Sequence, residues 1–579
     1  MPEEICAQEI SAQEASTEEV SAQEISTDAG PPAPHPVAPH PAPPAAPADL
    51  PALLGDLARR DPGAVVVLDR TAAGTTVPVT RGELWRRTCR LAAGLAERGV
   101  GPGDCVAVWL PNWSDALAWQ FAVAARGAHV IGVNTRYNVD EVAHVLERAR
   151  PVLVVLAHAF HGLDLLGRLR EALSAIDAPA PAVVLVAGPG EPAPDPGAAD
   201  VGGGSWAPDP TGPAPEPAPS DPAAPAVAFT TSGSTGMPKL AAHSGSAVLR
   251  QAVADAAAMG LGEADTMLCA LPLSGVYGFN AATATLAAGG RCLFVPVFDP
   301  DEVLDLMAEH GVTHVPAGDD MVIRLRAAQQ ARPRDLRSWR WWGAADFQGR
   351  MRELARWAAD ELGVRTTGVY GASELFALLT MWPEAEPAPG RWFGGGRVVD
   401  PATEVRTVDP ATGEPVAHGV EGELQFRGPC VVDAYLGEPE RAAASRTADG
   451  WFGSGDLGVL VDDGAFVYVC RMGDALRLRG FLVDPAEIEN RLGAHPDVGI
   501  AKVVGVTADD GATVAVAFVT AADGAAPDAA ALRAWCAQGL AHFKVPESVH
   551  VVDAMPTTSG TNGTKIRAAV LREWARERR

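Results

Sequence analysis

Residues 229–239 read FTTSGSTGMPK. Thr230, Thr231, Ser232, Ser234 and Thr235 supply short hydroxyl donors, and Gly233 and Gly236 lack β-carbons, so the backbone can take positive φ and turn its N–H groups toward an anion. Lys239 adds a point charge on a flexible stem. Together these residues predict a loop that holds phosphate oxygens. A polar surface linker is the competing reading; the Pro238-Lys239 ending, straight after the apolar run 226–229, weighs against it. The loop is not of the GxxxxGK[ST] type, because Pro238 precedes the lysine and Leu240 follows it where a magnesium-binding hydroxyl should stand.

Two later stretches carry groups of matching chemistry. Residues 369–374 read VYGASE. Tyr370 offers a flat ring for a purine, Gly371 permits a turn, Ser373 can hydrogen-bond a phosphate, and Glu374 is a hard oxygen ligand suited to Mg²⁺. A strand end with an exposed glutamate is the alternative. In 450–458, GWFGSGDLG, Asp456 sits among glycines after two aromatics, and a carboxylate there can accept both ribose hydroxyl protons. Cations in this chain are mostly arginine: its only lysines are Lys239, Lys502, Lys544 and Lys565.

These motifs resemble those of the adenylate-forming superfamily, which includes acyl-CoA synthetases, peptide-synthetase adenylation domains and beetle luciferase. The likeness extends over 50–579. The family's YGxSE matches 370–374, and its TGD stands here as Ser454-Gly455-Asp456. Residues 466–489, FVYVCRMGDALRLRGFLVDPAEIE, are similar to GRxxDxIKxxGxxxxPxEIE, with Cys470 for the first glycine and Asp474, Gly480, Pro485, Glu487 and Ile488 in place. Phe543-Lys544-Val545-Pro546 matches FKxP, and 555–572, MPTTSGTNGTKIRAAVLR, puts Lys565 where the family has its catalytic lysine.

The resemblance implies further site residues. The adenine edge would rest on Gly343, Ala344 and Ala345, and Arg471 would hold ribose or phosphate. Gly473 stands at the family's hinge position. Residues 271–280, LPLSGVYGFN, correspond to the stretch bordering the acid pocket, with Ser274 and Gly275 replacing an aromatic and a histidine. That departure leaves more room beside Tyr277, Gly278 and Phe279, with Asn280, Phe376 and Leu378 as further pocket candidates. The implied reaction is ATP-dependent activation of a small carboxylic acid with Mg²⁺, then transfer to CoA. Carrier-protein loading, transfer to another nucleophile, and a non-catalytic nucleotide-binding module remain alternatives.

Positioning such groups takes a large framework, and 579 residues exceed one core. Helical spacing marks 80–98, with Thr80 and Glu83 forming a capping box and Gly99 ending it. Strands are expected at 105–110, 129–133, 152–156, 289–295 and 341–345, helices at 114–126, 140–148 and 299–310. Residues 268–273 read as a strand end and 275–278 as a turn. Alternating strands and helices predict an α/β fold: a large N-terminal domain of doubly wound sheets with βαβ units at 49–472, joined by a hinge to a small α+β domain at 473–579. In the latter, strands fall at 500–506 and 513–519 and a helix at 529–540.

The remaining features bound the setting. Residues 7–26 repeat every five residues and 31–47 are dominated by Pro, Ala and His, so 1–48 read as a solvated tail. Residues 188–225 are nearly all Pro, Ala, Gly and Asp and read as a surface loop. A net charge of −26 disfavours nucleic acid and anionic membranes. The eight cysteines show no metal-ligand spacing, the acidic start lacks a signal-peptide core, and there is no 18-residue apolar run, so a cytoplasmic protein with no membrane span is expected.

Overall fold

The computed structural model describes residues 37–195, 197, 201–231, 238–347, 349–472, 476–478, 481–483, 485–508, 513–540, 542–560 and 563–578. Helix starts follow local signals. Leu50–Arg60 begins on Asp49, whose Oδ1 accepts from Ala52 N at 2.8 Å. Arg81–Glu97 begins on Thr80, whose Oγ1 accepts from Glu83 N at 3.2 Å. Only that half of the anticipated capping box forms, because the Glu83 carboxylate turns to Arg87. A complete box does form at Val139–Ala149, between Asn138 and Glu141.

Among the described residues the strands form sheets of thirteen, seven, five and two strands. One half of the largest sheet is parallel: Val65–Arg70, Arg291–Phe294, Thr266–Cys269, His314–Gly318, Trp341–Ala345 and Arg365–Tyr370 lie side by side. Val276–Ala287, Pro300–His310, Asp319–Ala331 and Met351–Leu362 are helices that join them in βαβ fashion. Past Arg365–Tyr370 the pairing becomes antiparallel, through Thr380–Met381 and Gly395–Val398 to Ala465–Arg471 and Phe452–Asp462. Tyr370 therefore ends the last parallel strand, where an open sheet offers its ligand crevice.

In the seven-stranded sheet Leu153–Ala157, Cys105–Trp109, His129–Gly132 and Pro225–Thr230 run parallel. Cys105–Trp109 is buried along its whole length, as a strand covered on both faces must be. Leu240–Ser244 returns antiparallel to Pro225–Thr230, so the 231–239 stretch connects a hairpin and not a strand to a helix.

The small domain is a five-stranded sheet with helices on both faces. Val498–Thr507 and Thr513–Ala521 pair antiparallel, and Ser548–Val551 adds in parallel. Alternate residues face opposite cores: Val503, Ala517 and Val519 pack with Ile488, Leu492 and Leu532, whereas Val504, Val516 and Phe518 pack with Leu571 and Ala575.

Three expectations change. The helix Val276–Ala287 takes in the expected turn at 275–278, with Gly275 as its N-cap. A side chain on Gly278 would lie 2.4 Å from Pro272 O, so glycine there serves close packing and not a bend. The loop before Pro225 is anchored, because Trp206 is buried edge-on against Trp119 at 5.6 Å with the Arg98 guanidinium 4.7 Å from its ring. Residues 37–40 also belong to the folded body. Val37 N donates to Asp462 Oδ2 at 3.0 Å, Arg397 Nε donates to Val37 O at 3.1 Å, and His40 Nε2 donates to Met381 O at 3.0 Å. Val37 itself is buried against Trp382 and Val467. Residues 1–36 of the expected tail lie outside the described residues.

The seven described cysteines are buried, and none of them forms a disulfide with another described residue. Among the described residues no helix is long and apolar enough to cross a membrane.

Candidate active site

The base of the Ser/Thr/Gly loop is closed by pairing. Thr231 N donates to Lys239 O at 2.8 Å, and Lys239 N donates to Thr231 Oγ1 at 3.3 Å. Thr230 and Thr231 are buried, and the Thr230 hydroxyl lies 2.6 Å from Tyr137 Oη. These two hydroxyls shape the loop's footing. Ser232, Gly233, Ser234, Thr235 and Gly236 lie outside the described residues. His144 Nε2 donates to Pro238 O at 2.7 Å and steadies the far end.

The turn after Tyr370 docks onto this hairpin. Ser373 Oγ donates to Thr230 O at 3.3 Å, and His243, on the returning strand, donates from Nε2 to Ser373 O at 2.7 Å. Burial lowers the His243 pKa to about 4, so the ring is neutral at physiological pH and its Nε2 carries the donated hydrogen. Val432 N donates to Glu374 O at 2.6 Å. Glu374 is half-buried; its Oε1 accepts from Tyr435 Oη at 3.3 Å, and among the described residues none bonds Oε2. The same Tyr435 ring lies 4.8 Å from the Lys239 ammonium. Cation and carboxylate thus share one tyrosine at the open end of the hairpin.

Asp456 and Arg471 face each other on adjacent antiparallel strands. Arg471 Nη1 donates to Asp456 Oδ1 at 2.9 Å, and Tyr370 Oη donates to Asp456 Oδ2 at 2.7 Å. Burial and the neighbouring carboxylate hold the Tyr370 hydroxyl well above the usual phenol range, so it stays a donor. Its ring packs on Phe426, Phe466 and Tyr468 with centroids 5.1 to 5.7 Å away.

Trp341–Ala345 is a strand as expected, but its side chains alternate. Ala344 faces the core formed with Val303 and Leu354, while Trp341 and Ala345 lie on the opposite face of the strand. Only the backbone of Ala344 is therefore available to a base. Gly343 O accepts from Tyr277 Oη at 2.9 Å, and a side chain on Gly343 would lie 2.3 Å from the Trp341 ring. Ser274 is buried, and Gly132 approaches its Cα so closely that a side chain there would sit at 2.7 Å. Phe279 meets Phe229 at 5.5 Å and Phe376 at 6.3 Å, an apolar aromatic group under the acid stretch. Asn280 and Leu378, expected in the pocket, are buried, and the Asn280 amide turns away to Asp255.

Lys565 lies on the hairpin of Thr557–Gly560 and Gly563–Ile566, opposite Thr558, and this hairpin packs against Asp319–Ala331 of the large domain. Of the other two small-domain lysines, Lys502 donates to Glu489 at 3.0 Å and Lys544 to Glu487 at 2.6 Å. Gly473 lies outside the described residues.

Sequence reasoning missed Tyr137, His243, Asp255, Tyr435 and Tyr468. A signal for most of them existed: the chain has only five tyrosines, and each touches a residue expected in the site. The scarcity argument that singled out the lysines applies to the tyrosines as well.

Comparison with known proteins fixes the lineage. The AMP-binding enzyme family matches residues 56–436, and its C-terminal domain matches 487–561. Feruloyl-CoA synthase from an Amycolatopsis species is 32% identical over 508 residues, covering 86% of this chain and 94% of that protein. The crystal structure of ATP-bound MatB from Rhodopseudomonas palustris superposes with a TM-score of 0.76 at 26% identity, over 91% of this chain and 99% of that one. Amide bond synthetase McbA from Marinactinospora thermotolerans superposes with a TM-score of 0.74 at 29% identity, over 90% and 99%. The chain belongs to the AMP-binding enzyme family. Its polar groups fit ATP: a buried carboxylate flanked by Tyr370 and Arg471 as acceptor for the ribose side, and Lys239 at the neck of the Ser/Thr/Gly loop as cation for phosphates. The open Oε2 of Glu374 is a hard ligand that fits Mg²⁺.

Proposed function

We propose that this protein is an AMP-forming acid–CoA ligase acting on a monocarboxylic acid. A carboxylate oxygen of the acid attacks the α-phosphorus of ATP, the bond to the bridging oxygen breaks, and pyrophosphate leaves. The CoA sulfur then attacks the acyl carbon, and AMP leaves. The observation that carries this reading is the convergence of Tyr370, Asp456, Arg471, Glu374 and Lys239 on one rim of a family-matched scaffold.

The roles follow from charge. Thr231, Ser232, Ser234, Thr235 and Lys239 hold the β- and γ-phosphates, with Thr230, Gly233 and Gly236 shaping the loop. Tyr370, Asp456 and Arg471 fix the ribose, and Gly343, Ala344 and Ala345 present backbone to the adenine, with Gly371 and Ser373 at the turn. Glu374 holds Mg²⁺, which when bound neutralises phosphate charge. Lys565 meets the attacking carboxylate and the α-phosphate, the only pair of anions the reaction forces together. Gly473 acts as the hinge by which the small domain, 473–579, turns between the two steps.

Ser274, Gly275, Tyr277, Gly278 and Phe279 border the acid. The aromatic group of Phe229, Phe279 and Phe376, the lack of an arginine among these residues and the likeness to feruloyl-CoA synthase support an aromatic monocarboxylate. A cytoplasmic location fits the CoA and ATP requirement. An amine in place of the CoA thiol is the second reading, favoured by the likeness to amide bond synthetase McbA. Pyrophosphate release across a panel of aromatic and aliphatic acids, with and without CoA, tests the assignment. Acid-dependent release with AMP and thioester formed one to one supports it; ADP formation, or release indifferent to acid, overturns it.

A further inference from the structure

The turn that follows Glu374 is conformationally unusual. Phe376 and Ala377 both have φ of 55°, the left-handed region that non-glycine residues avoid. The turn also folds back hard on itself, since a side chain on Gly371 would lie 2.4 Å from the Ala377 carbonyl carbon. Such a conformation persists only where the surroundings over-determine it.

Three buried polar side chains, none on the turn, do so. Asn280 Nδ2 donates to Phe376 O at 3.1 Å, and Gln251 Nε2 donates to Leu378 O at 3.0 Å. Both amides also donate to Asp255, Asn280 to Oδ2 at 2.7 Å and Gln251 to both oxygens at 3.2 Å. Asp255, Gln251 and Asn280 have no solvent exposure. Among the described residues none forms an ion pair with Asp255, and burial pushes its carboxyl well above the usual carboxylate range. Asp255 is thus the shared acceptor of the two amides that hold the turn. The network lies across Gln251 and Asp255 of Gly245–Met259 and Asn280 of Val276–Ala287, so it ties the acid-bordering helix to the Glu374 turn.

We propose that Asp255, Gln251 and Asn280 form a positioning network that holds the 376–378 turn in its left-handed conformation and thereby sets the placement of Tyr370 and Glu374 for the nucleotide. The inference rests on the nucleotide-site reading above. Its chemistry is specific, because the isosteric amide of asparagine keeps an acceptor oxygen between the two amides and an apolar side chain of equal size does not.

The test is binding of Mg²⁺·α,β-methylene-ATP by calorimetry to full-length Asp255→Asn, Asp255→Leu, Asn280→Ala and Gln251→Ala proteins, with thermal midpoints recorded alongside. Asp255→Asn should bind within about threefold of wild type. Asp255→Leu and Asn280→Ala should bind about tenfold more weakly, the scale of one lost buried hydrogen bond. If Asp255→Leu does not fold, Asn280→Ala and Gln251→Ala decide. Unchanged affinity in Asn280→Ala and Gln251→Ala, or a loss in Asp255→Asn equal to that in Asp255→Leu, overturns the proposal. A Glu374→Gln control separates the levels. If it weakens binding while the network variants do not, this inference alone falls; if it also leaves binding unchanged, the nucleotide-site reading falls.

Discussion

Tyr435 donates its hydroxyl hydrogen to Oε1 of Glu374 at 3.3 Å. Its ring also lies 4.8 Å from the Lys239 ammonium. One side chain therefore spaces the cation of the phosphate loop from the carboxylate expected to hold the metal. Tyr435→Phe keeps the ring and removes the hydroxyl. It should raise the Mg²⁺ concentration needed for half-maximal ATP binding by about threefold to tenfold, the scale of one ordinary net hydrogen bond. Tyr435→Leu should weaken ATP binding further by freeing Lys239. Titration of Mg²⁺ at fixed ATP reads both, and an unchanged Mg²⁺ midpoint in Tyr435→Phe would remove the hydroxyl from the account.

His243 makes folding stability depend on pH. Its ordinary pKa of 6.5 falls to about 4 in the folded chain because burial disfavours the charged ring. The unfolded chain then binds a proton that the folded chain refuses, so stability is complete above about pH 6.5 and declines as pH drops toward 4. The loss from this group is on the order of 3 kcal/mol. His314, also lowered to about 4, adds a second decline in the same window. In His243→Asn the midpoint of thermal unfolding should fall less between pH 6.5 and 4 than in wild type. Parallel curves for the two proteins would contradict the buried neutral assignment.

The N-terminal segment should divide at residue 37. Deleting 1–36 should leave the thermal midpoint and turnover unchanged. Deleting 1–48 removes the Val37, Ala38 and His40 contacts to Asp462, Arg397 and Met381. The midpoint should then drop by about 2–4 °C per kcal/mol lost. Equal midpoints for the two deletions would show that the 37–48 segment contributes nothing to stability.

Much of the architecture was legible from periodicity and caps. Trp341–Ala345 has the bounds expected of it, and Pro300–His310 starts one residue past the Asp299 that caps it. What failed had local causes. At 275–278 two glycines imitate a turn, but Gly275 caps a helix and Gly278 lets that helix pass close to Leu271 and Pro272, which only the tertiary fold reveals. Val37 and His40 sit in a proline-rich run whose composition reads as solvated, and their partners lie more than 300 residues away. The motif residues stand out in the sequence and scarcity marks the tyrosines, yet neither names the partners, and nothing local marks the Asp255 network. Their meaning comes from pairings between distant elements, such as Tyr370 with Asp456 and Asn280 with the Phe376 carbonyl.

The two half-reactions of a Lys565→Ala variant separate most directly what the site is claimed to do. Adenylation, followed as acid-dependent ATP–pyrophosphate exchange, should fall by about 10²–10³, the cost of removing one electrostatic stabiliser from the reacting oxygens. Given preformed acyl-adenylate and CoA, the same variant should form thioester at close to the wild-type rate, because no second anion then needs a cation. Loss of both half-reactions to the same degree would contradict a role for Lys565 confined to adenylation, and with it the turning of the small domain between steps.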